Sequence, residues 1–367
     1  GFMASLGSAH SLCLDTEGQI WALGSNGFGE LGIETNPEEE VDLGIPRMIP
    51  NLPTITAISC GFSYSACLDS NGNLWTFGRN NFGQLGHGGT KSTSVPQKVE
   101  GLPPIRAVSC GACHTICVDN NDSLWGFGKG SAGQLGGNCG HQTPQKIPVN
   151  NVNKVACGKE FSLVQDNDGK LLASGCDICG QCGTANNFSP IPNVPENIVD
   201  FSCGDYHSLL LTNEGKVFGL GDNRDGQLGS ASIDTTSTAT MVRYLPRVKL
   251  VSCSGTSSSC VTNDGSLFVF GLNICGQLFL DEKTKRILSA TKVSSLGNII
   301  MVAQGSEHAF VMDSDLHIWA AGRNNNGQLG PPPEKGNKVL PMQLDPKFQA
   351  IIAPPVCTTK VAKSANS

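Results

Sequence analysis

Short apolar runs recur along the chain, separated by polar turns, and none carries a helical period. One stretch shows the full grammar. Ile58-Ser59-Cys60-Gly61 reads as a strand, and Ser65-Ala66-Cys67-Leu68 as a second. The polar turn Asp69-Ser70-Asn71-Gly72 follows, then a third strand, Asn73-Leu74-Trp75-Thr76-Phe77-Gly78. The third strand leads through Asn80 to Gly83-Gln84-Leu85-Gly86, and the Pro-containing return Val95-Pro96-Gln97-Lys98-Val99 supplies a fourth. The Gly-Gln-Leu-Gly phrase recurs seven times, with Glu30 in place of Gln in the first copy, Cys182 in place of Leu in the fourth and Phe279 in place of the last Gly in the sixth.

The glycines ending the third strand (Gly24, Gly78, Gly128, Gly175, Gly221, Gly271 and Gly322) span 298 residues over six intervals, about 50 each. Units of that length cannot bury a core alone and must pack on one another. Four strands per unit and seven units predict an all-β fold, a seven-bladed β-propeller of four-stranded antiparallel blades. The propeller is expected over residues 1–348, with repeat cores near 7–32, 60–86, 110–136, 157–183, 203–229, 253–279 and 304–330; residues 349–367 are expected to form a closing strand and a loose tail. Two segments compete for the first strand of the first blade, residues 2–6 and 348–353. The hairpin turn needs one residue at positive φ, which Gly18, Gly72, Gly169, Gly215 and Gly265 satisfy. Asp122 tolerates it, whereas Leu316 is expected to force a different turn. Trp21, Trp75, Trp125 and Trp319 share one repeat position, with Leu172, Phe218 and Phe268 elsewhere, which predicts a packing role.

Composition narrows the function. The net charge is −6 and the pI about 5.6, which argues against non-specific binding of free nucleic acid or acidic membranes. No apolar stretch reaches the roughly 20 residues of a membrane span, and no signal peptide is visible at Gly1-Phe2-Met3. Of the sixteen cysteines, Cys60, Cys110, Cys157, Cys203 and Cys253 occupy one repeat position and Cys13, Cys67, Cys117 and Cys260 another. Such cysteines behave as small core residues, and a reducing cytoplasmic or nuclear setting is expected.

The same logic disposes of most motifs. His10, His114, His207 and His308 recur in a Gly-x-x-His loop, so a structural role bonding the loop backbone is predicted; a catalytic His would be single. Cys176, Cys179 and Cys182 imitate a metal motif, but Cys182 stands where Leu stands elsewhere and no fourth ligand is near. Asp166-Asn167-Asp168-Gly169 starts like a calcium loop and lacks its late Glu. The Gly-rich segments precede strands, unlike phosphate loops. No catalytic residue, cofactor or metal site is expected.

The composite phrase, a Gly-x-x-His loop, an Asp-x-x-Gly turn, an aromatic-x-x-Gly strand and Asn-x-x-Gly-Gln-Leu-Gly, resembles the regulator of chromosome condensation repeat family over about residues 1–345. The resemblance implies a seven-bladed propeller that acts by binding proteins. The namesake is a guanine nucleotide exchange factor for the small GTPase Ran and docks on chromatin; other members serve as modules of kinases and ubiquitin ligases. Carried over residue by residue, Asp205 matches the acidic site immediately after the loop Gly, and Glu160 and Glu307 match the site one position later. With the adjacent His207 and His308 they form the expected partner-binding set. Three readings stay open: binding and regulation of a small GTPase, a regulatory or scaffolding module of a larger protein, and a propeller recognising histone surface. The wedge insertion and basic N-terminal tail of the exchange factor are not seen here. The longest return, Gly32 to Pro53, carries Glu38-Glu39-Glu40 and is a candidate for a member-specific contact.

Overall fold

A computed structural model describes residues 3–35, 44–183, 187–281, 283–330 and the backbone of 337–343. The strands form seven four-stranded antiparallel sheets, each built from consecutive strands. Blade 2 is representative, with Ile55–Cys60, Tyr64–Asp69, Leu74–Gly78 and Thr93–Lys98 in order from the axis outward. Blade 1 is complete in itself: Met3–Leu6 pairs with His10–Leu14, Met3 opposite Leu14 and Leu6 opposite Ser11. The first-strand place therefore belongs to the N-terminal segment; residues 348–353, the other candidate, lie outside the described residues, as does Glu38-Glu39-Glu40. Among the described residues no helix is long and apolar enough to cross a membrane.

Burial follows strand position. The second strands are buried, but for the half-buried Asp166 and Asp313 that end two of them, because both of their faces meet neighbouring blades, whereas the fourth strands are largely exposed. Outer edges invite unwanted pairing, and prolines in those strands (Pro96, Pro144, Pro190) remove ladder donors there. The core lies at the seams. Leu12, Leu14 and Leu31 of blade 1 share a cluster with Ile58, Cys67 and Phe77 of blade 2. Leu6, Cys13 and Leu23 of blade 1 join Phe310, Ile318 and Leu329 of blade 7, so the ring closes through the same kind of packed seam.

The phrase occupies the loop between strands three and four. Its Leu plugs the seam and its last Gly lets the next blade approach. A Cβ on Gly32 would lie 2.9 Å from the Phe77 ring, and one on Gly86 3.0 Å from Phe127. Cys182 fills the Leu place in the buried cluster of blades 4 and 5.

The hairpin turn is held from within. Asp69 accepts the Asn71 and Asn73 N–H groups at 2.9 Å, and its second oxygen accepts the Trp75 indole N–H at 3.0 Å. Asp15–Trp21, Asp119–Trp125 and Asp313–Trp319 repeat the indole bond. In blades 5 and 6 Phe218 and Phe268 replace Trp, and Thr212 and Thr262 replace the Asp. The four indoles are thus half-buried struts with a polar anchor, not apolar filler alone. Leu316 corrects an expectation. It adopts φ 67° in the same turn, its N–H bonding Asp313 O at 3.0 Å like that of Gly72 to Asp69 O. The Asp313 carboxylate, bonded to the Asp315 and His317 N–H groups and the Trp319 indole, imposes the turn on a residue that disfavours it.

Candidate functional site

The loops joining strands one and two and those joining strands three and four lie on one face of the ring. The first set surrounds a cavity of about 70 Å³ on the axis. Gly7, Gly61, Gly111, Gly158, Gly204 and Gly255 line it, with Lys159 and Asp205 among the side chains. Backbone bonds link the loops across blades: Ser8 N–H to Phe62 O, Ala112 N–H to Lys159 O, Lys159 N–H to Asp205 O, Asp205 N–H to Gly255 O, and Ser306 N–H to Gly7 O.

Beneath this belt lie the histidines. His10, His114, His207 and His308 are almost wholly buried. Each Nε2 meets a serine of the next blade: His10 with Ser65 at 3.0 Å, His114 with Ser162 at 2.9 Å, His207 with Ser258 at 2.8 Å and His308 with Ser11 at 3.0 Å. Each serine in turn donates its only proton to a phrase carbonyl of the His blade, at Glu30, Gln134, Gln227 and Gln328. Its oxygen must therefore accept from Nε2–H, which fixes the neutral Nε2–H tautomer. Burial agrees, pushing His10 and His207 down to about 4 and His114 and His308 down to about 3. The sequence reading had these rings bonding their own loop; their partners lie across the seam. As candidate contacts His207 and His308 present no surface, so a contribution to binding would run through the loops they position. In blade 2, Tyr64 makes an equivalent link through its hydroxyl to Thr115 Oγ1 at 3.0 Å.

The three carboxylates do reach the surface, each a little over a quarter exposed, and each is already engaged. Glu160 pairs with Lys129 of blade 3, Asp205 with Lys159 of blade 4 at 3.4 Å, and Glu307 with Arg323 of its own blade. Carboxylate bonding raises the Lys129 pKa; at Lys159 burial lowers it and Asp205, with other groups, more than offsets that. Arg224 chelates the buried Asp222 at 2.8 and 2.9 Å. The face is therefore a mosaic of neutralised pairs, able to exchange partners with a charged ligand.

Aromatic side chains on this face escaped the sequence reading. Phe28, Phe62 and Phe82 are 42%, 42% and 44% exposed. Arg79 lies over the Phe28 ring at 4.8 Å, Lys129 over Phe82 at 5.5 Å and Lys159 over Tyr206 at 5.3 Å. The signal was present: Phe28 and Phe82 sit at a loop position held by Ala132, Cys179, Asp225, Cys275 and Asn326 elsewhere, which no core requirement explains.

Cys60, Cys157 and Cys253 are pushed up to about 12 and Cys110 to about 11 by burial, which makes them poor nucleophiles. Cys182 points its thiol at the Cys176 carbonyl, 3.4 Å away, inside the core. Asp313, Asp315 and His317 bring three metal-type ligand atoms together among the described residues. Asp313 there already caps the turn.

A family model described as "RCC1-like domain" matches residues 2–298. The X-linked retinitis pigmentosa GTPase regulator homolog of Caenorhabditis elegans is 26% identical over 94% of this chain and 21% of its own length. Protein RCC2 homolog of Danio rerio is 29% identical over 48% of this chain and 26% of its own length. The serine/threonine-protein kinase Nek9 of Mus musculus is 28% identical over 90% of this chain, again 26% of its own length. This chain thus spans about a quarter of the length of these relatives. Among solved structures, Prp20p of Saccharomyces cerevisiae matches with TM-score 0.80 at 19% identity, covering 90% of this chain and 87% of that one. Human WBSCR16 gives 0.78 at 19% identity, over 89% and 94%. At that identity the likeness speaks for the fold.

Proposed function

This chain belongs to the RCC1-like domain family, and on that premise we propose that it is a protein-interaction propeller whose Gly-x-x-His face docks and regulates a small GTPase. The observation that carries the reading is the set of Glu160, Asp205 and Glu307 on the loops joining strands one and two, each held at the surface by a cation that can be exchanged. A basic GTPase surface would take over a carboxylate from Lys129, Lys159 or Arg323, leaving that cation to meet an acidic group of the partner. Exchange of pairs changes little net charge burial, so it favours orientation and fast association over raw affinity. His207 and His308 act as positioning residues, fixing the loops that carry Asp205 and Glu307. Support comes from the relative named as a GTPase regulator homolog and from the yeast propeller, studied for its binding to Gsp1p and histones. The test is release of a fluorescent nucleotide from a panel of small GTPases, with Asp205→Asn and Glu307→Gln variants. Binding lost in the variants supports the face; wild-type binding with no faster release removes exchange activity and leaves docking; no binding by any GTPase sinks the proposal.

A second reading has its own observation. This chain matches about a quarter of a kinase, Nek9, and 8% of the probable ubiquitin ligase HERC4 of Homo sapiens, so the same platform can serve inside a larger protein. A longer transcript encoding a further domain in frame is what that reading requires. Histone surface is a third class of partner, and the expected setting is cytoplasmic or nuclear.

A further inference from the structure

We propose that blades 1–3 carry a second docking surface, adjoining the first at Lys129, for an extended acidic peptide segment of a partner protein, built from Phe28, Phe62, Arg79, Phe82 and Lys129. Aromatic residues occupy the phrase-loop apex in only two blades, and those blades are neighbours. In each case the following blade lays a cation over the ring, Arg79 over Phe28 and Lys129 over Phe82. The result is a two-rung ladder, with Phe62 exposed beside it on the loop whose Ser63 O accepts the Arg79 N–H at 2.9 Å.

Charge selects the occupant. Among the described residues Arg79 forms no ion pair within 4 Å, in contrast to Lys129, Lys159, Arg224 and Arg323 on the same face. Its Nε is buried without a partner. With the guanidinium carbon over the Phe28 ring and Nε buried, the two terminal nitrogens are the pair that a carboxylate can meet in bidentate geometry. The exposed parts of the three phenylalanines then offer apolar contact to side chains flanking the acid.

The loops are preorganised. Asn26 and Asn80 accept the Leu31 and Leu85 N–H groups at 3.0 Å, and the Phe28 and Phe82 N–H groups bond Glu30 and Gln84 at 2.8 and 2.9 Å. Binding would order few groups beyond the peptide itself. A single-stranded nucleic acid fits less well, because the cations lie over the rings on which bases would stack.

The experiment is fluorescence anisotropy of the full chain with a labelled peptide, Glu-Asp-Phe-Glu-Asp-Leu-Glu. Controls are the same peptide with every acid changed to Lys, and a labelled oligouridine. The acidic peptide should bind saturably and weaken as salt rises. Arg79→Gln and Phe82→Ala should each weaken it about tenfold, the worth of one charge-assisted contact. Arg79→Lys should fall between, and Lys170→Gln in the exposed turn of blade 4 should change nothing. Unaltered melting of the variants excludes misfolding, and Arg79→Lys serves if Arg79→Gln does not fold. No saturable binding, equal affinity of all variants, or tighter binding of oligouridine than of the acidic peptide would overturn the proposal. The Lys129–Glu160 pair borders both surfaces, but Arg79 and Phe82 take no part in the GTPase reading and Asp205 and Glu307 none in this one, so the two results can fail separately.

Discussion

The sixth phrase ends in Phe279 where six others end in Gly, and the seam beyond it is altered to match. At three other seams the last Gly faces an aromatic ring on the third strand of the next blade: Gly32 faces Phe77, Gly86 faces Phe127 and Gly229 faces Phe270, with a Cβ at each 2.9 to 3.0 Å from the ring. Blade 7 carries Ala321 at that strand position, and Phe279 and Ala321 share one buried cluster. The ring has crossed the seam, at the cost of a Phe held at φ 60°. Phe279→Gly should remove a buried aromatic, worth about 3–5 kcal/mol by analogy with Phe→Ala, and relieve about 1 kcal/mol of left-handed strain. The net loss expected is about 2–4 kcal/mol. Ala321→Phe alone should overpack the seam and cost about 1–3 kcal/mol. The double variant restores the Gly–Phe arrangement of those three seams and should lie within about 1 kcal/mol of wild type, a coupling of about 2 kcal/mol or more. Urea denaturation followed by tryptophan fluorescence reads this, because Trp319 packs on the same cluster. Losses that simply add would show that the two positions do not exchange volume, and the reasoning would be wrong.

Other outcomes follow from the polar framework. The four imidazoles have folded pKa values below their ordinary 6.5, so the unfolded chain takes up protons first; stability should be full above about pH 6.5 and fall as pH drops toward 4, by roughly 3 kcal/mol per ring at the limit. His207→Phe should cost about 1 kcal/mol at pH 7 and make that acid limb shallower in urea titrations at several pH values; an unchanged limb would contradict the neutral tautomer. Glu30 works in the opposite sense. Burial raises its carboxyl despite bonds from Phe28 N–H and Ser25, so its ionised form lowers stability above the folded pKa; Glu30→Gln should raise the denaturation midpoint at pH 7 and lose that advantage below pH 4.5, and a lower midpoint at pH 7 would refute it. Trp75→Phe should cost about 1–2 kcal/mol by leaving Asp69 short of a donor, while Asp69→Thr with Trp75→Phe, imitating blades 5 and 6, should recover part of the loss in a thermal melt.

The blades were legible because their signals are local. Alternation, the turn Gly, the strand-ending Gly and the phrase all lie within about 50 residues of one another, and Cys13, Cys67, Cys117 and Cys260 read correctly as core, whereas Cys60, Cys157 and Cys203 are partly buried beside the axial cavity. What escaped was whatever depends on the next blade. The serine opposite His10 is 55 residues away and that opposite His308 is 297, so no local pattern marks them. Leu316 was misjudged because its own preference was weighed without the Asp313 cap. The carboxylates were found, but their cations were not, since Lys129 and Glu160 belong to different units.

The direction of the histidine bonds has a consequence for how such chains can be recombined. Blades 1, 3, 5 and 7 each hand an imidazole forward to a serine of the next blade, so the heritable unit of fit is a seam made of two half-blades. Exchanging one whole blade with a relative disturbs two seams, as at Phe279 and Ala321, where either neighbour alone would be mismatched. Because an imidazole and its receiving serine both lie on second strands, one blade apart, a transplanted segment keeps the pair only when it runs from the histidine of one blade through the serine of the next, and chimeras that hold such a span should tolerate exchange better than those carrying a single blade.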